Sequence, residues 1–500
     1  MRATVFVPLS LLSGALLVLS LPKPDLYPLA WFAFVPLILV LARAASFRAA
    51  ALASYITGFV FFSGVFYWMT ETMIVYGGLD SVSAFGVGLL FTAVYSCYFL
   101  GFGLALYAFV RRIGPRGLLL AAPIWVTVEL IRTHFFFNGY PWMLTGYALV
   151  PFSGILQVAA WTGIFGLSFI ATAVNSALAY AILTRDKRWW IASIAAVLFC
   201  SFLPILGETP SGDAVDARIV QTNIPLDQPW KAPASDDLLN ELEALSAKPG
   251  PPPKLIVWPE TPAPFFLNED EDFRARVKRI AQESASYVLL GYIDRIGESP
   301  SNSAALVDPR GNIVSRYDKI RLVPFGEYIP LKDLLFFAQK FTQQVGDFAP
   351  GSNYTLSTME GHRLSTAICY ESIFPNFVRQ FVKQGSELIV VITNDGWFGE
   401  SSAPFQHLRM GVVRAVENRR YVVRSANTGI SAIIDPYGRI LSQTTLGIRT
   451  ALEGTAHFRS DRTFYTNYGD VFAYMNVAAV AGAVLLFLIR KRPRPSLRSA

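Results

Sequence analysis

Charge divides this chain in two before any motif is read. Residues 1–206 hold 16 of the 79 Asp, Glu, Lys and Arg side chains, and the 294 residues that follow hold the other 63. Apolar runs long enough to span a bilayer lie near 3–21, 27–43, 49–70, 83–110, 117–135, 158–184, 188–206 and 470–489. In hydrocarbon every backbone polar group must be satisfied within the segment, so these runs read as helices. The run at 83–110 is long enough to tilt or to extend past the bilayer. The first run has one basic residue before it and no small-x-small cleavage site, so it reads as a retained anchor rather than a signal peptide. With 500 residues, 53% of them apolar, more than one domain is expected. The division is a helical domain at 1–206 with seven spans, a polar domain at 207–468, and a last span with a basic tail at 469–500.

The loops set an orientation. Arg43 and Arg48 follow the second run, Arg111, Arg112 and Arg116 the fourth, Arg185, Lys187 and Arg188 the sixth, and Arg490, Lys491, Arg492 and Arg494 the eighth. The loops near 71–82 and 136–157 have almost no Lys or Arg. The positive-inside rule then puts both termini in the cytoplasm and the polar domain on the other side, the periplasm of a Gram-negative cell. The same rule accounts for much of the net charge of +7, which is therefore no sign of nucleic-acid binding. Glu129 and Arg132 fall in or near the fifth run at i, i+3 spacing. Isolated charge in lipid is costly, so they are expected to pair with each other or with a neighbour.

The polar domain alternates strand-like and helix-like runs. Strands are expected at 217–222, 254–258, 287–291, 303–308, 364–369, 387–393, 421–426 and 430–434, and helices at 235–248, 271–284, 373–384 and 402–419. Continuous apolar strands between helices indicate an α/β fold with buried sheets. Of the three cysteines, Cys97 and Cys200 lie in apolar runs and read as packing residues. Cys369 is alone in the polar domain, which excludes a disulfide within it. Four scattered His and the absence of C-x-x-C or H-E-x-x-H spacing give no metal site, and nothing calls for a cofactor.

Cys369 follows a strand-like run and precedes a helical one. A thiol needs a base and usually a nearby cation to act as a nucleophile. Glu260 in Trp258-Pro259-Glu260 could be the base. Lys319 in Tyr317-Asp318-Lys319 could lower the thiol pKa and stabilise an oxyanion, and Glu327 in Phe325-Gly326-Glu327-Tyr328 could hold Lys319 or relay protons. Each has a plainer reading: a structural cysteine, a surface lysine, a capping glutamate. The greasy stretches Leu334 to Phe341, with Phe336, Phe337 and Phe341, and Trp397-Phe398 through Phe405 are either core packing or a lid that dips into the bilayer and lines an acyl groove.

Taken together, Val257-Trp258-Pro259-Glu260, Tyr317-Asp318-Lys319, Val323-Pro324-Phe325-Gly326-Glu327-Tyr328 and Ile368-Cys369-Tyr370-Glu371 resemble the nitrilase, or carbon-nitrogen hydrolase, superfamily. Asn394-Asp395-Gly396-Trp397-Phe398-Gly399, Gly139-Tyr140-Pro141-Trp142 and the flanking spans resemble its membrane branch. The resemblance covers nearly the whole chain. It implies a multi-span α-helical membrane domain joined to an α/β/β/α sandwich. It further implies Glu260 as base, Lys319 as oxyanion stabiliser and Cys369 as nucleophile, with Glu327, Glu371, Trp230 and Tyr370 in support. The implied reaction moves a fatty acyl chain from a phospholipid, through a Cys thioester, to the amino group of a diacylglyceryl-cysteine on an apolipoprotein in the bacterial inner membrane. A membrane-anchored amidase acting on a small periplasmic amide is the alternative that the triad alone allows, although one anchor would serve it. A transporter would need a charged pathway through the spans, and intramembrane charge is limited to about Glu129 and Arg132.

Overall fold

The computed structural model describes residues 3–135, 138–205, 212–226, 234–248, 250–263, 265–330 and 347–489. The amino-terminal part is helical: α1 (Ala3–Leu19), α2 (Val35–Arg43), α3 (Phe47–Phe66), α4 (Trp68–Val75), α5 (Ser81–Ile113), α6 (Ala121–His134), α7 (Ser153–Leu156), α8 (Ala159–Thr162), α9 (Ile164–Thr184) and α10 (Lys187–Phe202). Side-chain caps set several starts. Ser46 accepts from the Ala49 N–H ahead of α3, and the Asp80 carboxylate accepts from the Val82 and Ser83 N–H groups ahead of α5.

Four expected spans are not single helices: 49–70 divides between α3 and α4, 158–184 between α8 and α9, and the other two break beside a proline. Pro28 and Pro36 each sit in a first helical turn, so residues 27–43 form a 3₁₀ turn (Tyr27–Trp31) and then α2. Pro115 likewise starts a 3₁₀ stretch, Gly114–Leu120, which leaves α6 only 14 residues. The run at 83–110 is part of the 33-residue α5, about 50 Å long at 1.5 Å per residue. By length and composition, four helical stretches of the described residues can cross a membrane: Phe47–Phe66, Ser81–His134, Ile164–Thr184 and Val471–Ile489. Their outward faces are apolar, as with Leu488, 70% exposed on the last of them.

The polar domain is two packed sheets. The first runs in the order β12-β1-β2-β3-β4-β5 and the second β11-β10-β9-β8-β7-β6. The strands are β1 (Ala214–Gln221), β2 (Leu255–Val257), β3 (Tyr287–Ile296), β4 (Ser299–Val307), β5 (Ile313–Asp318), β6 (Leu356–Met359), β7 (His362–Ile368), β8 (Leu388–Thr393), β9 (Val422–Ala426), β10 (Ala432–Ile434), β11 (Ile440–Gln443) and β12 (Thr450–His457). Helices α11 (Ala234–Ser246) and α12 (Glu271–Glu283) pack on the first sheet, and α13 (Pro375–Lys383) and α14 (Ala403–Asn418) on the second. This is the α/β/β/α sandwich. Period-two alternation divides the side chains. Leu255, Val257 and Leu289 join the core between the sheets, while Ile256, Val288 and Leu290 pack with Leu242, Phe273 and Val277 beneath α11 and α12. After the short α15 (Phe464–Tyr468), the chain re-enters apolar helix as α16 (Val471–Ile489).

At the centre of each sheet three strands are parallel, β1-β2-β3 and β7-β8-β9. Parallel strands of α/β folds present ligands at their carboxyl ends. Glu260 lies just past the end of β2, Cys369 directly follows β7, Asn394 follows β8, and Lys319 follows the antiparallel β5.

Candidate active site

Glu260 is brought into place by a close backbone approach. A Cβ on Gly291 of β3 would lie 2.7 Å from the Pro259 carbonyl oxygen and 2.8 Å from Glu260 Cα, so only glycine fits beneath this turn. The Glu260 carboxylate is nearly buried and fully engaged. Oε1 accepts from Lys319 Nζ at 3.1 Å and from Asn302 Nδ2 at 2.8 Å, and Oε2 accepts from the Asn394 N–H at 2.8 Å.

Lys319 is 1% exposed, which its surface-charge reading does not allow. Its Nζ also donates to Glu327 Oε1 at 2.8 Å. Glu327 is held in turn by Asn302 Nδ2 and by the Val323 N–H. Burial alone would lower the Lys319 pKa, but Glu260 and Glu327 outweigh it and hold the ammonium well above the ordinary lysine value. An ammonium has three N–H donors. Two are committed to the carboxylates, and among the described residues the third has no acceptor, which leaves it for a charge that develops on the reacting atoms.

Cys369 stands at the turn between β7 and a 3₁₀ segment, Cys369–Ile373, with φ at +50°. A non-glycine residue in the left-handed region costs about 1–3 kcal/mol and persists only where its surroundings over-determine it. The thiol is buried. Burial first, and then the Glu260 charge, push its pKa up against the pull of Lys319, so the resting sulfur carries its proton. A base is therefore needed, and Glu260 is the carboxylate whose charge bears on the thiol most strongly.

Glu371 ties the thiol turn to the lysine loop. Its Oε1 accepts from Tyr317 Oη at 2.7 Å, the Ile320 N–H at 2.7 Å and the Arg321 N–H at 3.1 Å, and its Oε2 accepts from the Ile368 N–H at 2.8 Å. Burial still raises its pKa to about 7. Tyr370 faces the helical domain: its hydroxyl donates to the Gly139 carbonyl at 3.4 Å, and its ring stacks on Tyr140 with centroids 6.2 Å apart.

Glu129 and Arg132 do not close on each other with a hydrogen bond. Both reach into the loop that follows α6. Glu129 Oε1 accepts from the Thr145 N–H at 2.7 Å, and Arg132 Nη2 donates to the Trp142 carbonyl at 3.2 Å. The buried charges thus pin the loop that carries Gly139, Tyr140 and Trp142 against the thiol turn. Trp397 and Phe398 sit in the seam between the domains. Phe398 packs on Trp68 at 4.7 Å and Trp142 at 5.8 Å; Trp397 is 42% exposed and packs on Tyr76 at 5.2 Å. Trp230, Phe336, Phe337 and Phe341 lie outside the described residues. Cys97 is exposed on α5, unlike the buried Cys200, so of the two only Cys200 fills the packing role expected of both.

Sequence reasoning missed Asn302, which bridges both carboxylates from one Nδ2, and the buried His407 and Arg424, which meet Asp395 of the Asn394–Gly399 motif. Asn302 lies in the plain stretch Ser301-Asn302-Ser303, where only a polar residue in a strand marks it. His407 was one of four scattered histidines, and its burial against the thiol turn is a fact of tertiary structure.

Residues 216–454 match the carbon-nitrogen hydrolase family, and residues 13–177 match the apolipoprotein N-acyltransferase N-terminal domain. The chain is 37% identical to an apolipoprotein N-acyltransferase of Geobacter metallireducens, over 97% of this chain and 95% of that one. It is 32% identical to those of Rhodopseudomonas palustris (97% and 95% covered) and Methylococcus capsulatus (93% and 95% covered). Among solved structures, an amidase from Nesterenkonia sp. is 21% identical, covering 54% of this chain and 99% of its own, with a TM-score of 0.39.

Proposed function

The chain belongs to the apolipoprotein N-acyltransferase family, and from that membership we propose how its buried thiol works: Cys369 takes a fatty acyl chain from a phospholipid ester and passes it to the amine of a diacylglyceryl-cysteine at an apolipoprotein N-terminus. Glu260 takes the thiol proton as sulfur attacks the ester carbonyl. The free N–H of Lys319 faces the charge that develops on the carbonyl oxygen. The tetrahedral adduct expels the lysophospholipid alkoxide, which takes the proton from Glu260 and leaves a thioester. The acceptor amine then attacks, Glu260 takes its proton, and the adduct collapses to the amide as the departing sulfur takes that proton from Glu260 and becomes a thiol again. Two half-reactions at one sulfur make the kinetics ping-pong.

The observation that carries this reading is the bond from Tyr370, next to the nucleophile, to Gly139 in a loop of the helical domain. It sets the thiol turn at the seam with the apolar helices, where lipid-borne substrates arrive. A hydrolase of small soluble amides has no use for that placement. The basic loops support an inner-membrane protein with seven spans at 1–206, a periplasmic domain at 207–468, and a final span at 469–500 that returns the carboxy terminus to the cytoplasm. The test is intact-mass analysis of protein purified from membranes. A fraction should carry one added acyl chain, removable by hydroxylamine and absent from Cys369→Ala. Protein without an adduct, in membranes that still acylate lipoproteins, overturns the thioester route.

A further inference from the structure

One cation at the seam between the domains has no anion. Arg321 follows Lys319 by two residues, and its backbone N–H donates to Glu371 Oε1, the carboxylate that also holds the thiol turn through the Ile368 N–H. Its side chain runs toward the helical domain. The guanidinium lies over the Phe374 ring at 4.4 Å and 5.8 Å from the centre of the Phe377 ring, and Nη1 donates to the Asn138 carbonyl at a long 3.4 Å. Among the described residues the side chain makes no other hydrogen bond and no ion pair. Lys319 and Arg316, close by in sequence, each pair with two carboxylates. A guanidinium has five N–H donors, so one long contact leaves most of them unused. Arg321 is half-buried, and a charge partly stripped of water calls for an opposite one.

The surroundings select the anion. Asn138 and Gly139 are consecutive in the loop after α6, with Cα atoms about 3.8 Å apart. Gly139 accepts from the Tyr370 hydroxyl, and Asn138 accepts from Arg321. Phe374, which carries the guanidinium, also meets the Tyr370 ring edge-on at 4.9 Å. The guanidinium therefore stands one ring beyond the residue next to the thiol. The end of α6 that leads into this loop turns apolar surface outward, with Ile131 48% and Phe135 61% exposed. A ligand that brings an ester to Cys369 along such a surface, and an anion to Arg321 at the same time, matches a glycerophospholipid. In that molecule only the glycerol backbone separates the ester carbonyls from the phosphodiester. The diacylglyceryl-cysteine acceptor carries esters but no phosphate.

We infer that Arg321 binds the phosphodiester of the acyl donor, its guanidinium seated on Phe374 and donating to the phosphate oxygens. This rests on the thioester reading above and names the part of the donor that the chain grips. Arg321 acts in the first half-reaction only, since the acceptor offers it no phosphate. Lys319, buried and paired twice, is left to the carbonyl oxygen. Anchoring the phosphate limits how far the ester can wander from Cys369, so affinity for the donor and alignment of its carbonyl come from one contact.

The test is single-turnover acylation of Cys369 in the full-length protein, followed by intact mass as the lipid content of neutral detergent micelles is varied. The donor is phosphatidylethanolamine, a zwitterionic lipid that leaves the micelle surface uncharged. Arg321→Gln should raise the half-saturating lipid about ten- to a hundredfold, the loss expected for charge-assisted hydrogen bonds, with the saturating rate within about threefold of wild type. Arg321→Lys should recover part of the affinity. A diether phosphatidylethanolamine, which has no ester to give, should compete at least about tenfold less well in Arg321→Gln than in wild type. The matching diether glycerol, which lacks the phosphate, should compete equally in both. Thioester formed by either protein should pass to a diacylglyceryl lipopeptide at the same rate. Unchanged half-saturation in Arg321→Gln overturns the inference. So does an equal loss of competition by both ethers, which marks a structural residue, or a slower second half-reaction, which marks one that serves the acceptor. A wild type that forms no thioester sinks the thioester reading, and the inference with it.

Discussion

Lys319 is the residue whose bland and functional readings differ most in consequence. As a surface charge it could be deleted without effect; buried between Glu260 and Glu327, it cannot. Lys319→Ala removes the cation from two buried carboxylates and from the acyl oxygen. Acylation measured by single turnover should fall by about 3 kcal/mol of barrier, on the order of a hundredfold or more. Lys319→Arg should not restore it, because a planar guanidinium cannot place donors on both carboxylates and the substrate at once. Glu371 makes a second prediction, from linkage. Its folded pKa of about 7 lies above the ordinary carboxyl value, so the folded protein binds more protons than the unfolded chain between about pH 4.5 and 7. The stability it contributes is fully present below about pH 4.5 and is lost as pH rises through 7. In denaturant melts from pH 5 to 8, wild type should lose stability relative to Glu371→Gln as pH rises. A constant difference across that range would mean the carboxyl does not titrate there.

The loop after α6 shows at the scale of an element how the helical domain enters the chemistry. Gly139 has φ at +87°, and a Cβ there would lie 1.8 Å from the Thr133 carbonyl oxygen, so the loop folds tightly back on the end of its own helix. Arg132→Leu frees the Trp142 carbonyl and leaves Glu129 buried without its nearest cation, a change that typically costs several kcal/mol. Phospholipid-dependent acylation should fall at least tenfold, while the thiol keeps its reactivity toward small alkylating reagents. If acylation holds at wild-type rate, the loop is scaffolding alone. Legibility also varied by element. The buried parallel strands β2 and β8 show as continuous apolar runs and α12 as an amphipathic one, because their burial is written in local sequence, whereas β7 and β9 mix polar with apolar residues and α14 is buried nearly all round. Strands β5, β6, β11 and β12 are short, edge-lying or half polar, and pairing with a neighbour makes them strands, which no local pattern reports. Glu260, Lys319 and Cys369 were legible as candidates because each stands in a distinctive short motif. Asn302 and His407 were not, since what marks them is the partner they meet across the fold.

At the scale of the whole molecule, orientation remains the property most open to direct measurement. A cysteine introduced in the 185–188 loop, on a background without reactive native thiols, should react with an impermeant maleimide only after the inner membrane is permeabilised. One placed near residue 460 should react from the periplasmic side in intact cells with an opened outer membrane. The opposite pattern would put the thiol on the cytoplasmic face and remove any exported acceptor. The two domains are also stitched together at many points. Arg409 pairs bidentately with Asp25 at 2.7 Å, Trp142 donates to Gln406 at 2.6 Å, Thr72 donates to the Trp397 carbonyl at 2.7 Å, and the Ile164 N–H at the head of α9 donates to Glu417 at 2.9 Å. The consequence is one of severability. A sandwich cut away from its helices would bare Phe398 and the Tyr370 ring to water, strip Tyr147 and the Ile164 N–H from the buried Arg414–Glu417 pair and unseat the Trp142 ring over His407. The sandwich is thus not a cargo that its anchors merely carry. Trimming the chain toward a soluble amidase would discard part of the wall on which its buried thiol leans.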